Sequence, residues 1–273
     1  MATPEAPLRE ILKSISFTQF PLWHIPAFYK PEPINRPQLH IQRPLTHKSG
    51  GSQTSDVQCL RTLALLRFLG YEFDVRYSSE PEASPNSRLP FLLLPDSKAI
   101  DVDHIEQHLT SQGLLSEPEN ADELAFQILV ERNLVPAVEY LAWIDPVGFE
   151  AIAWDKYLGS YPPLIRYFLG WQRSFEKARC LRTGLPEYGS ALDGDVLYDN
   201  AFRTLDALLL LLGTSDFFSG EKPGALDASV FACLNIILEA PLKSPIRTAL
   251  TLEGSKYKPL VNYTMRILDK YFI

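Results

Sequence analysis

The stretch Arg88-Leu-Pro-Phe-Leu-Leu-Leu-Pro-Asp-Ser-Lys-Ala-Ile-Asp-Val-Asp-His-Ile-Glu-Gln-His-Leu109 decides the fold of this chain. A Leu89–Pro90 bond opens an apolar strand. Pro95-Asp-Ser-Lys98 then supplies turn chemistry, with a fixed proline φ followed by residues that bond their own backbone. A second short strand leads into a helix running from about 101 to 113, with Ile105 and Leu109 on one face. Strand, turn, strand and helix in this order close a small α/β unit.

The upstream residues complete that unit. Leu39-His-Ile-Gln42 alternates and reads as a first strand. Residues 43–55 form a polar, glycine-containing loop. A helix is expected over 56–69, capped by Ser55 or Asp56 and stopped at Gly70. Its apolar residues, Val57, Leu60, Leu63, Ala64, Leu66, Phe68 and Leu69, cover most of its circumference, so it should be buried. Residues 72–77 alternate again, with Phe73, Val75 and Tyr77 on one face. The order is βαβ followed by ββα, a domain over 38–115.

Residues 1–37 form an arm with Pro4, Pro7, Pro21, Pro26, Pro31, Pro33 and Pro37. Proline at that density favours extended chain. The arm also carries Phe17, Phe20, Trp23, Phe28 and Tyr29, which a simple linker would lack. Such aromatics should anchor on apolar surface, either the chain's own body or a partner. Downstream, 116–122 has linker composition, and 120–273 reads as a helical domain. Apolar residues recur at helical spacing over 122–140, 200–213, 225–239 and 258–272. Pro136 should kink or break the first of these near its end. Gly184-Leu-Pro186 and Gly189-Ser190 break the middle of the domain into loops.

A net charge of −7 argues against nucleic-acid binding, which needs a basic face. The first fifty residues are locally positive, with Arg9, Lys13, Lys30, Arg36, Arg43 and Lys48 against Glu5, Glu10 and Glu32. The three cysteines, Cys59, Cys180 and Cys233, are widely spaced and odd in number, which fits free thiols in a reducing compartment. The first twenty residues carry no signal-peptide pattern. The longest apolar run, Ala207 to Leu212, falls far short of the ~20 residues that cross a bilayer, so any membrane association is expected to be peripheral.

Metal and phosphate signals are weak. His104 and His108 share a helical face, but no third ligand follows at zinc spacing, and both are expected as exposed surface histidines. Gly50-Gly51 lacks the Lys-Ser or Lys-Thr of a phosphate loop. Asp193, Asp195 and Asp199 form an acidic loop without EF-hand order. No metal and no cofactor are expected.

The order of elements resembles the glutathione-transferase fold, α/β plus all-α, with an N-terminal thioredoxin-like and a C-terminal helical domain. The resemblance implies a cis peptide before Pro90. Two further stretches resemble metaxins. One is Gly220-Glu-Lys-Pro-Gly-Ala-Leu-Asp-Ala-Ser-Val-Phe-Ala-Cys-Leu-Asn-Ile-Ile-Leu-Glu-Ala-Pro-Leu242, where Gly224 can cap a helix and Asp227 meets its dipole. The other is Val130-Glu-Arg-Asn-Leu-Val-Pro-Ala-Val-Glu-Tyr-Leu-Ala-Trp143. The order of Phe20-Pro-Leu, Cys59-Leu, Ala83-Ser-Pro and Leu89-Pro-Phe-Leu is similar to the fungal thirty-five-kDa metaxin-like subunits of the mitochondrial sorting and assembly machinery.

Transferases of this fold place a Cys, Ser or Tyr near the first strand–helix junction, where the helix N-terminus stabilises a thiolate. Counting back from Gly70, the cysteine-type position falls near Asp56, a good cap and a poor home for a second anion. Cys59 lies one turn inside and reads as a small core residue, with Thr54 or Ser55 hydroxyls as the lesser candidates for a thiolate. Glutathione binders carry Glu or Gln followed by a helix-capping Ser; Asp101 and Val102 stand there, and valine offers no hydroxyl. The expectation is a fold without catalytic residues. The metaxin resemblance implies a peripheral, cytosol-facing outer-membrane subunit. Its partners would be the membrane-embedded β-barrel subunit, the sister metaxin-like subunit and β-barrel precursors. Trp23, Phe28, Tyr29, Arg36, Arg43 and Lys48 are the expected contact residues. The rival readings are an active glutathione-dependent transferase or redox enzyme, and a scaffold in a cytosolic complex.

Overall fold

A computed structural model describes residues 34–42, 54, 56–78, 84, 86, 88–115, 121–158, 162–184, 192–241 and 243–272. The strands are β1 (Gln38–Gln42), β2 (Asp74–Ser78), β3 (Phe91–Leu93) and β4 (Ala99–Asp101). They form one sheet in the order β2-β1-β3-β4, with β1 parallel to β2 and the other pairs antiparallel. Leu39 lies opposite Val75 on one side and Leu92 on the other, and Leu39, Ile41 and Leu92 are fully buried. The Leu89–Pro90 peptide is cis, as the resemblance implied.

Helix α1 (Val57–Phe68) is capped by Asp56, whose carboxylate accepts the Cys59 N–H at 2.9 Å. It stops as the sequence predicts. Gly70 sits at φ +65°, its N–H donates to Arg67 O, and the Tyr71 N–H donates to Leu66 O. This is the six-residue glycine stop in which a left-handed residue closes the last carbonyls. Leu60, Leu63 and Leu66 are fully buried on α1. Truncating any one of them to alanine should cost about 2–5 kcal/mol. Helix α2 (Val102–Ser111) follows β4 and buries Ile105 and Leu109.

The remaining helices are α3 (Ala121–Leu129), α4 (Val135–Trp143), α5 (Pro146–Phe149), α6 (Pro163–Gly184), α7 (Gly194–Leu212), α8 (Ala225–Glu239), α9 (Pro245–Thr251) and α10 (Lys258–Tyr271). The break expected at Pro136 takes the form of a change of helical register, with a new α-helix starting at Val135. A π turn over Val130–Leu134 joins α3 to α4, and the Val135 N–H donates to Val130 O, five residues back. Proline has no N–H for the ordinary four-residue bond, and widening the preceding turn by one residue lets the helix run on.

One hydrophobic core runs from Leu39 and Ile41 of the sheet through α1 to α8 and α10. Helix α8 is the counterpart of α1, buried on nearly every side from Leu226 to Ile237. Gly148 marks a close approach between α5 and α4. A Cβ there would fall 1.9 Å from the Leu141 carbonyl oxygen. The middle of the helical domain, read as loops from its turn signals, is largely the 22-residue α6, which ends at the Gly184 signal. The expected acidic loop is the start of α7: Asp193 caps it and accepts the Asp195 N–H at 3.0 Å.

Candidate functional site

In this fold the place for a thiol substrate lies between the N-terminus of α1, the residue before Pro90 and the N-terminus of α2. At α1 the position is filled by Asp56. Its backbone N–H donates to Thr54 Oγ1 at 3.3 Å, and Thr54 is fully buried. The Thr54 hydroxyl oxygen thus braces the entry to α1. Cys59 is fully buried, and burial, then the Asp56 charge, pushes its thiol well above the ordinary range. A thiol held neutral is a poor nucleophile. Lys177 of α6 pairs with Glu139 of α4 at 2.7 Å. Burial works against the Lys177 ammonium, but the Glu139 and Asp56 charges outweigh it and hold its pKa up.

At α2 a second carboxylate takes the corresponding place. Asp101 is the N-cap, accepting the His104 N–H at 3.1 Å and meeting His104 Nδ1 at 2.5 Å. Asn86 Nδ2 donates to its other oxygen. The cap therefore sits one residue before Val102, where the sequence reading had sought the capping serine, and Val102 is the first helical residue. Each helix N-terminus would attract an anion by its free N–H groups and dipole. Here each already holds a carboxylate of the chain itself. A thiolate or a γ-glutamyl carboxylate would meet like charge at both.

His104 is exposed, as expected. His108 departs from the expectation: it is half-buried, and its Nε2 is enclosed without a hydrogen-bond partner. Among the described residues no three His, Cys, Asp or Glu side chains gather as metal ligands. His40 lies stacked on Phe91 with ring centroids 4.4 Å apart.

The Leu226-Asp227 signature turns out to be a structural anchor. Asp227 is fully buried, and Gly224 is the N-cap of α8. The Asp227 carboxylate accepts N–H groups of Phe218 at 2.9 Å, Ser219 at 3.1 Å and Gly224 at 3.1 Å. It also accepts the Tyr263 hydroxyl at 2.8 Å. Four donors on one buried carboxylate tie the 218–224 turn, α8 and α10 together. Burial and the neighbouring Asp227 charge drive the Tyr263 phenol far up, so it stays a donor.

Of the expected contact residues, Trp23, Phe28, Tyr29, Arg43 and Lys48 lie outside the described residues. Arg36 is exposed just before β1. The sequence reading missed the outer face of α6, where Leu164, Tyr167, Phe168, Trp171 and Phe175 are all at least 60% exposed. Their spacing of three, four and seven residues was the available signal.

Known proteins agree with this reading of the fold. Residues 59–174 match the model of the outer mitochondrial membrane transport complex protein family, and residues 200–267 match the glutathione S-transferase C-terminal domain. A glutathione S-transferase of Ceriporiopsis subvermispora, solved with glutathione, superposes with a TM-score of 0.55 at 14% identity, over 85% of this chain and 98% of that one. The beta-etherase LigF of a Sphingobium strain gives 0.56 at 15% identity, over 87% and 98%. These likenesses establish the fold. Mouse metaxin-1 is 32% identical over 81% of this chain and 72% of its own length. Metaxin-3 of Xenopus laevis is 27% identical over 79% and 72%, and mouse metaxin-2 is 28% identical over 69% and 72%. The chain belongs to the metaxin family, with a place in protein transport at the mitochondrial outer membrane.

Proposed function

We propose that this metaxin is a non-catalytic, peripheral subunit on the cytosolic face of the outer membrane. It assists recognition, insertion and folding of β-barrel precursors as part of the sorting and assembly machinery. Its partners are the membrane-embedded barrel subunit, a sister metaxin-like subunit, and the precursors with their terminal-strand signal. The observation that carries the reading is the pair of carboxylates, Asp56 and Asp101, capping the two helices that would hold a thiol substrate. With Cys59 buried as well, neither helix N-terminus offers a thiol substrate a free place among the described residues. A protein in that condition works by binding. The arm residues Trp23, Phe28 and Tyr29, with Arg36, Arg43 and Lys48, are the proposed contacts, apolar anchors beside cations.

Mass spectrometry of what co-purifies with a tagged copy from detergent-solubilised mitochondria tests the proposal. A stoichiometric barrel protein and a second metaxin-like protein are expected. Recovery alone, or with soluble proteins, overturns it. The alternative, a glutathione-dependent transferase or redox enzyme, rests on fold likeness and would be revived by specific retention on glutathione resin.

A further inference from the structure

Helix α6 is amphipathic in the wrong sense for a core helix. Leu164, Phe168, Trp171 and Phe175 recur at four, three and four residues and fall on one face. Their exposures are 86%, 61%, 67% and 60%. The same face continues to Arg179 and Arg182 in the last turns, both exposed. Tyr167 flanks the stripe at 68% exposure. The opposite face is fastened to the body. Gly170 packs on Leu158, Phe149 and Trp154. The Arg166 guanidinium lies 4.1 Å over the Trp154 ring, Lys177 pairs with Glu139, and Leu181 is buried with Leu197. Those attachments fix which face α6 turns outward.

The charge of the helix identifies what the stripe fits. Within Pro163–Gly184 there are five cations, Arg166, Arg173, Lys177, Arg179 and Arg182, against one carboxylate, Glu176, in a chain of net charge −7. Arg173, Arg179 and Arg182 make no ion pair among the described residues. Solvent-facing Trp, Tyr and Phe followed by arginines match an interfacial helix that seats its rings at the headgroup boundary and its cations on phosphate. No described helix is long and apolar enough to cross a membrane, so surface attachment is the available mode among these residues.

We propose that the outer face of α6 docks on a lipid surface bearing anionic headgroups, with Leu164, Phe168, Trp171 and Phe175 entering the interface and Arg179 and Arg182 on the phosphates. The proposal rests on membership of an outer-membrane family and not on the role in barrel assembly. It also orients the body: the face carrying α6 lies against the bilayer.

The test is flotation of the purified full chain with vesicles of phosphatidylcholine, or of phosphatidylcholine mixed with phosphatidylinositol. Binding to the mixed vesicles, weakened by high salt, is expected. Phe168→Glu with Trp171→Glu should abolish it at an unchanged melting temperature, because both side chains already face solvent. Arg179→Gln with Arg182→Gln should weaken it about fivefold per arginine. Failure of the folded chain to float with either vesicle overturns the proposal, as does equal flotation of the variants. If the Phe168→Glu, Trp171→Glu chain floats normally but loses a protein partner from solubilised membranes, the stripe is a protein interface instead. No assembly partner is present in the vesicle experiment, so its outcome is independent of the co-purification result.

Discussion

Helices α8 and α6 are both rich in apolar side chains, and they use them in opposite ways. Helix α8 buries every residue from Leu226 to Ile237. Helix α6 buries only Gly170 and Leu181 of its 22 residues and turns four aromatics outward. Burial on all sides makes α8 the post on which the sheet-bearing half and the helical half share one core. Exposure on one side makes α6 a surface with something to meet. An apolar helix is therefore no guide to stability until its face is known, and the two helices should answer mutation differently.

Asp227→Ala should give the largest effect. It takes the acceptor from three half-buried N–H groups and the closer of two acceptors from the buried Tyr263 hydroxyl, a cost of about 3–5 kcal/mol. Differential scanning calorimetry should show a fall in melting temperature of about 10 °C. Trp171→Ala on α6, a far larger truncation, should stay within about 0.5 kcal/mol. Equal effects would erase the contrast between the two helices. Gly148→Ala should come next. Its Cβ would strike the Leu141 carbonyl oxygen, so α5 must move off α4, at a cost of about 1–3 kcal/mol measured by urea unfolding.

The thiols sharpen the comparison at the N-terminus of α1. Cys59 and Cys233 are buried and Cys180 is exposed on α6. Burial raises the Cys59 and Cys233 thiols, so in the native chain only Cys180 should react promptly with an aromatic disulfide reagent. Prompt labelling of Cys59 would mean that the α1 site is open.

The smallest effect should come from His40. Burial, then the Arg76 charge, lowers its pKa below 6.5. The unfolded chain therefore binds more protons just below that value, and stability should decline as pH falls through it. His40→Phe, which keeps the stack on Phe91, should flatten that part of the pH profile.

Much of the fold was legible from local chemistry. Asp56 and Gly70 bracket α1 as cap and stop, and the apolar spacing over 225–239 marked the helix that lies between Gly224 and Ala240. The Asp56 cap was also legible, because it directly precedes its apolar run, whereas the cap of α2 was sought at Val102 and is Asp101. Helix α6 was not, and its inward face explains why. Arg166 and Lys177 point toward the body, where a ring, a carbonyl and a carboxylate satisfy them, while the rings point out. Periodicity assumes the reverse. Asp227 read as a dipole partner because only one of its four donors, Gly224, is local, while Phe218, Ser219 and Tyr263 lie eight or more residues away. The π turn before Pro136 depends on a bond register that composition does not encode.

The central claim is that Asp56 and Asp101 occupy the anion positions of a glutathione-transferase fold. Isothermal titration of the full chain with millimolar glutathione tests it most directly. The account predicts no saturable heat. A saturable isotherm, lost when Pro90 or Asp101 is substituted in a chain that still folds, would contradict it and return the site to thiol chemistry.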